Sequence, residues 1–250
     1  MNRGFYISGV AGNMTGQKLD TISHNLANVN TAGFMRDRAA FSTVLANVGA
    51  DKAAGNSLTA AYMTLDHSFI SPDKGLIHKS GNDLDFALRG NGFFQVQLTD
   101  LQGNSSVGYT RAGNFHIDAE GTLLTEGNLP VLDDSGSLIT LPAGTVTSTR
   151  EGKISVDQAA VAQLGVYQIT DMNKIQKASG TVLTTDEGNI QKADASVSVE
   201  QGMLEGSNVN SVLMMVEMMQ NSRSNESMMK LLEQYNQQEG LLNDKVGRVG

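Results

Sequence analysis

Apolar residues near the start of the chain recur at the spacing of one helical stripe: Leu19, Ile22, Leu26 and Val29. This pattern predicts a helical N-terminal region over residues 5–45. We place Gly33 at the C′ position that ends the first helix, because glycine adopts the left-handed conformation without steric cost. That placement predicts a hydrophobic contact between Val29 and Phe34.

The middle of the chain has a different pattern. Residues 81–200 contain short segments rich in β-branched and aromatic residues, such as FFQVQL (93–98), and Gly, Asn or Asp bounds each of them. They predict an antiparallel barrel or sandwich. Residues 46–80 are mixed in composition and carry the turn signal SPDKG, so we expect an extended connection there.

Residues 206–246 return to a helical pattern, with Ser207 or Asn208 as the expected N-cap. Apolar residues keep heptad spacing in two runs: Val209, Val212, Val216 and Met219, then Met228, Leu231, Tyr235 and Leu242. The two registers do not join, so a skip is expected near residues 220–227, where the helix should bend or change partner. The methionines here are typical of a helix core, and also of an adaptable interface.

The fold class predicted is α+β. The N- and C-terminal helices, residues 1–45 and 205–250, pair as a coiled-coil-like hairpin around an inserted, mainly antiparallel β domain of residues 81–204; residues 46–80 connect them. Two paired helices form a thin core and leave apolar surface exposed, and such surface usually meets another chain.

The composition excludes several kinds of partner and site. The 250 residues carry a net charge of −8, which argues against nucleic-acid binding because that needs a basic face. Cysteine is absent, so disulfides and thiolate metal sites are excluded. The chain lacks both the apolar core of a cleaved signal peptide and the run of a membrane span. We therefore expect no membrane insertion, and any export must use a route without such a signal.

The sequence gives little support for a catalytic function. The four histidines show no metal-ligand spacing, GNGFF (90–94) lacks the third glycine of a dinucleotide-binding loop, and no nucleophile elbow or phosphate-binding loop is present. We expect no catalytic residue, metal or cofactor, although a catalytic site scattered along the chain stays open as an alternative.

The stretch SHNLANVNTAGFMR (23–36) places Asn25 and Asn28 on one face beside the apolar stripe. A polar amide beside an apolar seam selects one register and one partner geometry at some cost in stability. The alternative is a helix that frays through Asn28–Asn30 into a turn.

NLANVNTAGF resembles the N-terminal signature of the bacterial flagellar rod, hook and hook-associated family. The match runs through Asn25, Leu26, Ala27, Asn28, Thr31, Gly33 and Phe34. ALRGNGFFQV resembles the entry into the family's β domain, with Gly90, Gly92, Phe93 and Phe94. YTRAGNF resembles a rod and hook segment, with Tyr109, Thr110, Arg111, Gly113 and Phe115; LEGSNVN (204–210) resembles the start of the C-terminal helix. Asn225 departs from the pattern, since relatives often have an aromatic residue there.

The resemblance implies a structural subunit of the basal-body rod, a hollow shaft that crosses the periplasm and transmits torque to the hook. The ends of the chain favour a proximal-rod subunit, with a distal-rod or hook-type subunit as the alternative. Implied partners are copies of the chain, adjacent rod proteins and the flagellar type III export apparatus. Two other classes stay open: a β-domain binding module with dimerising helices, and an enzyme such as a peptidoglycan hydrolase.

Overall fold

The computed structural model describes residues 3–47, 59–99, 103–194 and 196–246. The chain divides into two compact units. One, here called the helical unit, comprises Met1–Ala27, Asp37–Phe69 and Asn210–Gly250. The other, the β unit, comprises Asn28–Arg36 and Ile70–Val209. The α+β class is therefore confirmed: one helix lies near each end of the chain and a mainly antiparallel β region lies between them.

The helical unit contains helices α1 (Arg3–Ala27) and α2 (Ser211–Val246) and a two-stranded sheet of β1 (Asp37–Asn47) and β2 (Thr59–Ile70). The prediction of helix through residue 45 is wrong beyond Ala27. The chain turns over residues 28–33, and the β-branched and aromatic side chains that follow favour an extended strand. The expected 46–80 connection likewise carries strand β2, while residues 48–58 lie outside the described part of the chain.

Helix α2 begins at Ser211, and its N-cap is Asn210 rather than Ser207 or Asn208. The backbone N–H of Leu213 donates to Asn210 Oδ1 at 3.1 Å, the usual N-cap contact. The least exposed positions of α2 recur at intervals of four and three residues: Met214, Met218, Asn221, Asn225, Met228 and Leu232. This register is continuous across residues 220–227, so the face toward α1 has no skip in the described part of α2. Counting only apolar residues missed this register, because two asparagines occupy the inner positions. A bend or a change of partner there stays a prediction.

The strands of the β unit are short, and every pairing among them is antiparallel. The strands are β3 (Ile77–Lys79), β4 (Phe86–Arg89), β5 (Gly92–Thr99), β6 (Ser105–Thr110), β7 (Phe115–Ile117), β8 (Leu123–Thr125), β9 (Val146–Ser148), β10 (Lys153–Val156), β11 (Ala159–Gln163), β12 (Val166–Ile169), β13 (Gln176–Ser179), β14 (Val182–Thr184), β15 (Ile190–Lys192), β16 (Ser198–Gln201) and β17 (Met203–Glu205). The largest sheet has the order β13-β14-β6-β5-β12-β15, and a three-stranded sheet has the order β11-β10-β9. Three two-stranded pairs, β16-β4, β17-β3 and β7-β8, accompany them.

The main core of the β unit is built around three phenylalanines. The rings of Phe94 and Phe115 meet edge to face with centroids 5.2 Å apart, and Phe86 lies 5.9 Å from Phe115. A second cluster includes Met35, Ile70 and Phe93. Met35 follows α1 in the chain yet belongs to this core, so the end of the N-terminal signature is part of the β unit.

Candidate functional site

The signature segment after α1 forms a turn that Asn28 and Thr31 stabilise. The Thr31 N–H donates to Asn28 O, and the Thr31 hydroxyl donates to Asn28 Oδ1, both at 3.2 Å. Gly33 has a φ of +64°, which confirms the left-handed conformation expected for it. The placement of Gly33 at C′ is wrong, because α1 ends at Ala27 and the Gly33 N–H donates to Glu205 O at 2.8 Å.

Gly33 also lies in direct contact with the second signature. A Cβ at this position would stand 2.2 Å from Ala112 N and 2.4 Å from the Arg111 carbonyl carbon. No side chain fits in that space, so only glycine lets the AGF and YTRAG segments meet. Two motifs nearly 80 residues apart in the sequence therefore share one backbone contact.

Beneath this contact lies a buried ion pair between Arg111 and Glu205, each of whose side chains is 3% exposed. Arg111 Nε and Nη2 lie 2.8 and 2.6 Å from Glu205 Oε2. The guanidinium also donates to the carbonyls of Gly92 at 2.8 Å and Leu88 at 3.2 Å. The other carboxylate oxygen accepts the Gly75 N–H at 3.0 Å. Such saturation of both groups is what a buried pair requires.

Asn208 connects three segments of the β unit. Its Oδ1 accepts the Arg36 N–H at 2.7 Å, its Nδ2 donates to Asp73 O at 2.7 Å, and its backbone N–H donates to Phe34 O at 3.2 Å. This explains why Asn208 does not cap α2. We call residues 31–36, 71–76, 88–92, 109–113 and 204–208 the signature junction.

Phe34 is the buried centre of the N-terminal signature, at 1% exposure. The ammonium of Lys177 lies 4.0 Å from the centroid of its ring and donates to Met35 O at 3.1 Å. A cation over an aromatic face stabilises both groups when water is excluded. Lys177 thus holds the signature segment against the rest of the β unit.

In the helical unit, Asn25 is buried and its amide is used within the chain. Its Nδ2 donates to Asp37 O and its Oδ1 accepts the Asp37 N–H, both at 2.8 Å. His24 Nδ1 lies 2.8 Å from the Asp37 carboxylate. Asn25 therefore fixes the first residue of β1. A role for Asn28 in selecting a partner's register stays a prediction.

Helices α1 and α2 meet at a polar layer. Asn221 Nδ2 donates to Thr15 O at 2.6 Å, and the Thr15 hydroxyl lies 3.4 Å from Asn225 Oδ1. Asn225, the departure from the family pattern, thus faces α1. The predicted stripe on α1 has Ile22 buried and Leu19 and Leu26 half-buried.

The other signature positions divide between the units. Val29 is half-buried and Ala27 exposed at the end of α1, while Val209 is buried in the β unit. Predicted stripe residues of α2 are exposed rather than turned toward α1: Val212, Val216, Met219 and Leu231. The side chain of Tyr235 lies outside the described residues.

The β-domain signature is structural throughout. Gly90 has a φ of +114°, and a Cβ on Gly113 would stand 1.7 Å from Phe86 O, so both positions require glycine. The remaining signature residues are buried: Gly92, Phe93, Phe94, Tyr109, Thr110, Arg111 and Phe115. Burial is also the main cause of the raised pKa of Tyr109.

Hydrogen bonding perturbs one turn carboxylate. Burial acts to raise the pKa of Asp133, but hydrogen bonds from the Ser135 hydroxyl and the N–H groups of residues 135–137 outweigh it and lower the pKa. The turn is DDSG, a sequence typical of turns.

Within the described residues, no group of three or more His, Asp or Glu side chains forms a metal-ligand cluster, and neither helix has a stretch long and apolar enough to cross a bilayer.

The sequence analysis missed two residues of the junction, Glu205 and Gly75, and Lys177, which contacts the junction from β13. Glu205 lies inside the motif LEGSNVN and Arg111 inside YTRAG, so two signatures carry opposite charges. These opposite charges in two separate motifs were the sequence signal from which the ion pair could have been predicted. Gly75 and Lys177 lie outside any quoted match to the family, and only their contacts identify them.

Three family models match the chain in sequence order. They are "Flagella basal body rod protein" over residues 5–34, "Flagellar hook protein FlgE/F/G D1 domain" over 87–210, and "Flagellar basal body rod FlgEFG protein C-terminal" over 200–244. Together they cover the four segments that resemble the family, and the whole junction except residues 35–36 and 71–76.

Whole-chain relatives agree with these models. The flagellar basal-body rod protein FlgF of Caulobacter vibrioides is 30% identical over 236 residues, covering 93% of each chain. FlgF of Rhizobium meliloti is 28% identical over 254 residues, covering 100% of this chain and 99% of the relative. The rod protein FlgG of Bacillus subtilis is 28% identical over 260 residues, covering 93% and 94%. The chain belongs to the flagellar basal-body rod protein family.

Proposed function

We propose that this chain is a structural subunit of the bacterial flagellar basal-body rod, of the FlgF, proximal-rod type. It assembles helically with copies of itself and with adjacent rod proteins into the shaft that crosses the periplasm. It performs no catalysis and needs no cofactor, and it reaches its site through the flagellar type III export apparatus. The higher identity to FlgF of Caulobacter vibrioides than to FlgG of Bacillus subtilis supports the subtype.

One observation carries the proposal: α2 exposes an apolar outer surface over residues 212–219, whereas its outward positions farther along are charged, as at Arg223 and Glu226. The large apolar side chains of this stretch are 40–67% exposed: Val212, Leu213, Met215, Val216 and Met219. A monomeric protein rarely exposes a contiguous apolar surface of this kind. The spacing of Val212, Val216 and Met219 is that of a coiled-coil seam, so we assign this face to helices of neighbouring subunits.

The test is complementation of cells that lack their own copy of the gene. Val216→Asp places a charge in the apolar face and should abolish motility and remove the chain from purified basal bodies. Ser224→Asp, at an exposed polar position of the same helix, is the matched control and should leave both unchanged. Normal motility with Val216→Asp would contradict the proposal. Discrete soluble dimers, with no chain in basal bodies, would favour the binding-module alternative.

A further inference from the structure

Three methionine side chains of α2 are open to solvent. Met215, Met219 and Met229 are 50%, 55% and 56% exposed, and they are the only exposed methionines among those whose side chains the structure describes. Met214, the direct neighbour of Met215, is 4% exposed, and Met35 in the β unit is 6% exposed. Accessible and inaccessible thioethers therefore occur side by side on one helix.

Two of the three exposed methionines lie within the apolar outer surface of residues 212–219. Met215 and Met219 are four residues apart, so they are neighbours on one face of the helix. Met229 lies beyond this surface, and its neighbours on the helix face are the exposed side chains of Glu226 and Glu233. The same residue type is therefore present inside and outside the surface assigned to neighbouring subunits.

Methionine is the sulfur-containing side chain that a peroxide can oxidise here, because the chain has no cysteine thiol that could react first. The thioether sulfur takes one oxygen atom from hydrogen peroxide. The O–O bond breaks and an S–O bond forms, so the sulfur loses two electrons and the peroxide is reduced to water. The product is a polar sulfoxide, which methionine sulfoxide reductases return to methionine and which disrupts apolar contacts.

We propose that Met215 and Met219 are oxidation sites of the unassembled subunit, and that their sulfoxides prevent the apolar surface of α2 from packing against a neighbouring subunit. This inference rests on the proposed function, because it needs that surface to be a subunit contact. Both side chains project into solvent, so a sulfoxide costs the isolated chain little. In the assembled rod the same atoms lose their water, so the sulfoxide opposes incorporation.

The test compares the soluble and the incorporated chain within one culture. The full-length chain is expressed in cells that lack their own copy of the gene and their methionine sulfoxide reductases, with hydrogen peroxide present during expression. Basal bodies are separated from soluble chain, and tandem mass spectrometry measures the sulfoxide fraction at each methionine in both pools. Met214 is the buried control, and Met229 is the exposed control outside the apolar surface.

In the soluble pool we expect sulfoxide at Met215, Met219 and Met229 at about ten times the level at Met214, which is the ratio of their exposed fractions. In basal bodies, sulfoxide at Met215 and Met219 should be depleted at least about tenfold, since burying one methionine side chain is worth that factor in association. Sulfoxide at Met229 should be equal in the two pools.

Two double variants separate the polarity of the sulfoxide from other effects of peroxide. Met215→Gln with Met219→Gln supplies a polar side chain of similar length, and it should lower incorporation at least about tenfold without peroxide. Met215→Leu with Met219→Leu cannot be oxidised at these positions, so its incorporation should not fall when peroxide is added. Met, Leu and Gln have similar helix propensities, so neither change unfolds α2. Met229→Gln is the matched control and should incorporate normally.

Equal sulfoxide fractions at Met215 and Met219 in both pools, with the wild-type chain present in basal bodies, would overturn the inference and leave the proposed function intact. Equal depletion at Met229, or an equal loss of the leucine variant in peroxide, would also overturn it, because the sensitive site would then lie elsewhere. Absence of the wild-type chain from basal bodies without peroxide would contradict the proposed function itself.

Discussion

The β unit and the helical unit treat their large apolar side chains in opposite ways. In the β unit, Phe34, Phe86 and Phe94 are at most 1% exposed, and the buried pair of Arg111 and Glu205 has its hydrogen bonds satisfied. On α2, Val212 and Met219 are 67% and 55% exposed, while polar Asn221 and Asn225 face α1. Apolar burial is the main favourable term in both folding and association. The β unit therefore buries its large apolar side chains within one chain, whereas α2 leaves those of residues 212–219 exposed, available to the neighbouring subunits proposed above.

The largest expected effect on stability is the difference between two truncations of the N-terminus. Removing residues 1–27 deletes α1 alone and should leave the unfolding midpoint of the β unit nearly unchanged. Removing residues 1–35 also deletes Gly33 and the buried Phe34, which should lower the stability by about 5 kcal/mol or more, since losing a buried phenylalanine alone costs about 3–5 kcal/mol. Urea unfolding followed by far-UV circular dichroism measures the difference. Equal midpoints would show that the signature segment is not part of the β unit.

Arg111→Met should lower the stability of the β unit by about 3–5 kcal/mol, because it leaves the Glu205 carboxylate buried without a cation. Combining it with Glu205→Leu should restore part of that loss. Arg89→Met, which removes an exposed ion pair with Glu200, is the control and should change the urea midpoint little. A neutral Arg111→Met would mean that the buried pair does not hold the junction together.

Alanine substitutions at two glycines distinguish the cost of a positive φ from the cost of a steric clash. Gly81 has a φ of +82° and open space around it, so Gly81→Ala should cost only about 1 kcal/mol. Gly33 has a similar φ, but an added methyl group would stand 2.2 Å from the Ala112 backbone, so Gly33→Ala should cost about 2–3 kcal/mol. Thermal unfolding of both variants gives the comparison. Equal losses would assign the role of Gly33 to its φ alone.

The smallest effect concerns pH. Hydrogen bonds lower the pKa of Asp133 in the folded chain, so its contribution to stability is present above the unfolded value of about 3.9 and is lost as pH falls through the folded pKa. Asp133→Asn should therefore flatten the fall in the urea midpoint between pH 7 and about pH 3. Ser135→Ala removes one cause of the lowered pKa and should flatten it partly. An unchanged slope in both variants would contradict this origin.

How well the sequence predicts a feature depends on how far apart in the chain the contacting residues lie. The stripe of Ile22 and Leu26 and the left-handed Gly33 are local features, and periodicity and backbone sterics were enough to predict them. The junction depends on Gly33, Arg111 and Glu205 meeting across some 170 residues, which no local pattern encodes.

The inner register of α2 was missed for a different reason. Asn221 and Asn225 interrupt the row of Met214, Met218, Met228 and Leu232 that lies toward α1. Val212, Val216 and Met219 face outward without such an interruption, so hydrophobic periodicity identified the outer face. A pattern of apolar residues indicates a face that will be buried, and it does not say whether the same chain buries it.

Amide hydrogen exchange on the isolated chain and on purified rods tests the contrast between the units most directly. In the isolated chain we expect strong protection of β5, β6, β12 and residues 33–36, and rapid exchange along residues 12–27 and 211–234. In rods, the helical residues should become as protected as the β unit. Strong protection of residues 211–234 in the isolated chain would contradict the account, because the outer face of α2 would then need no partner.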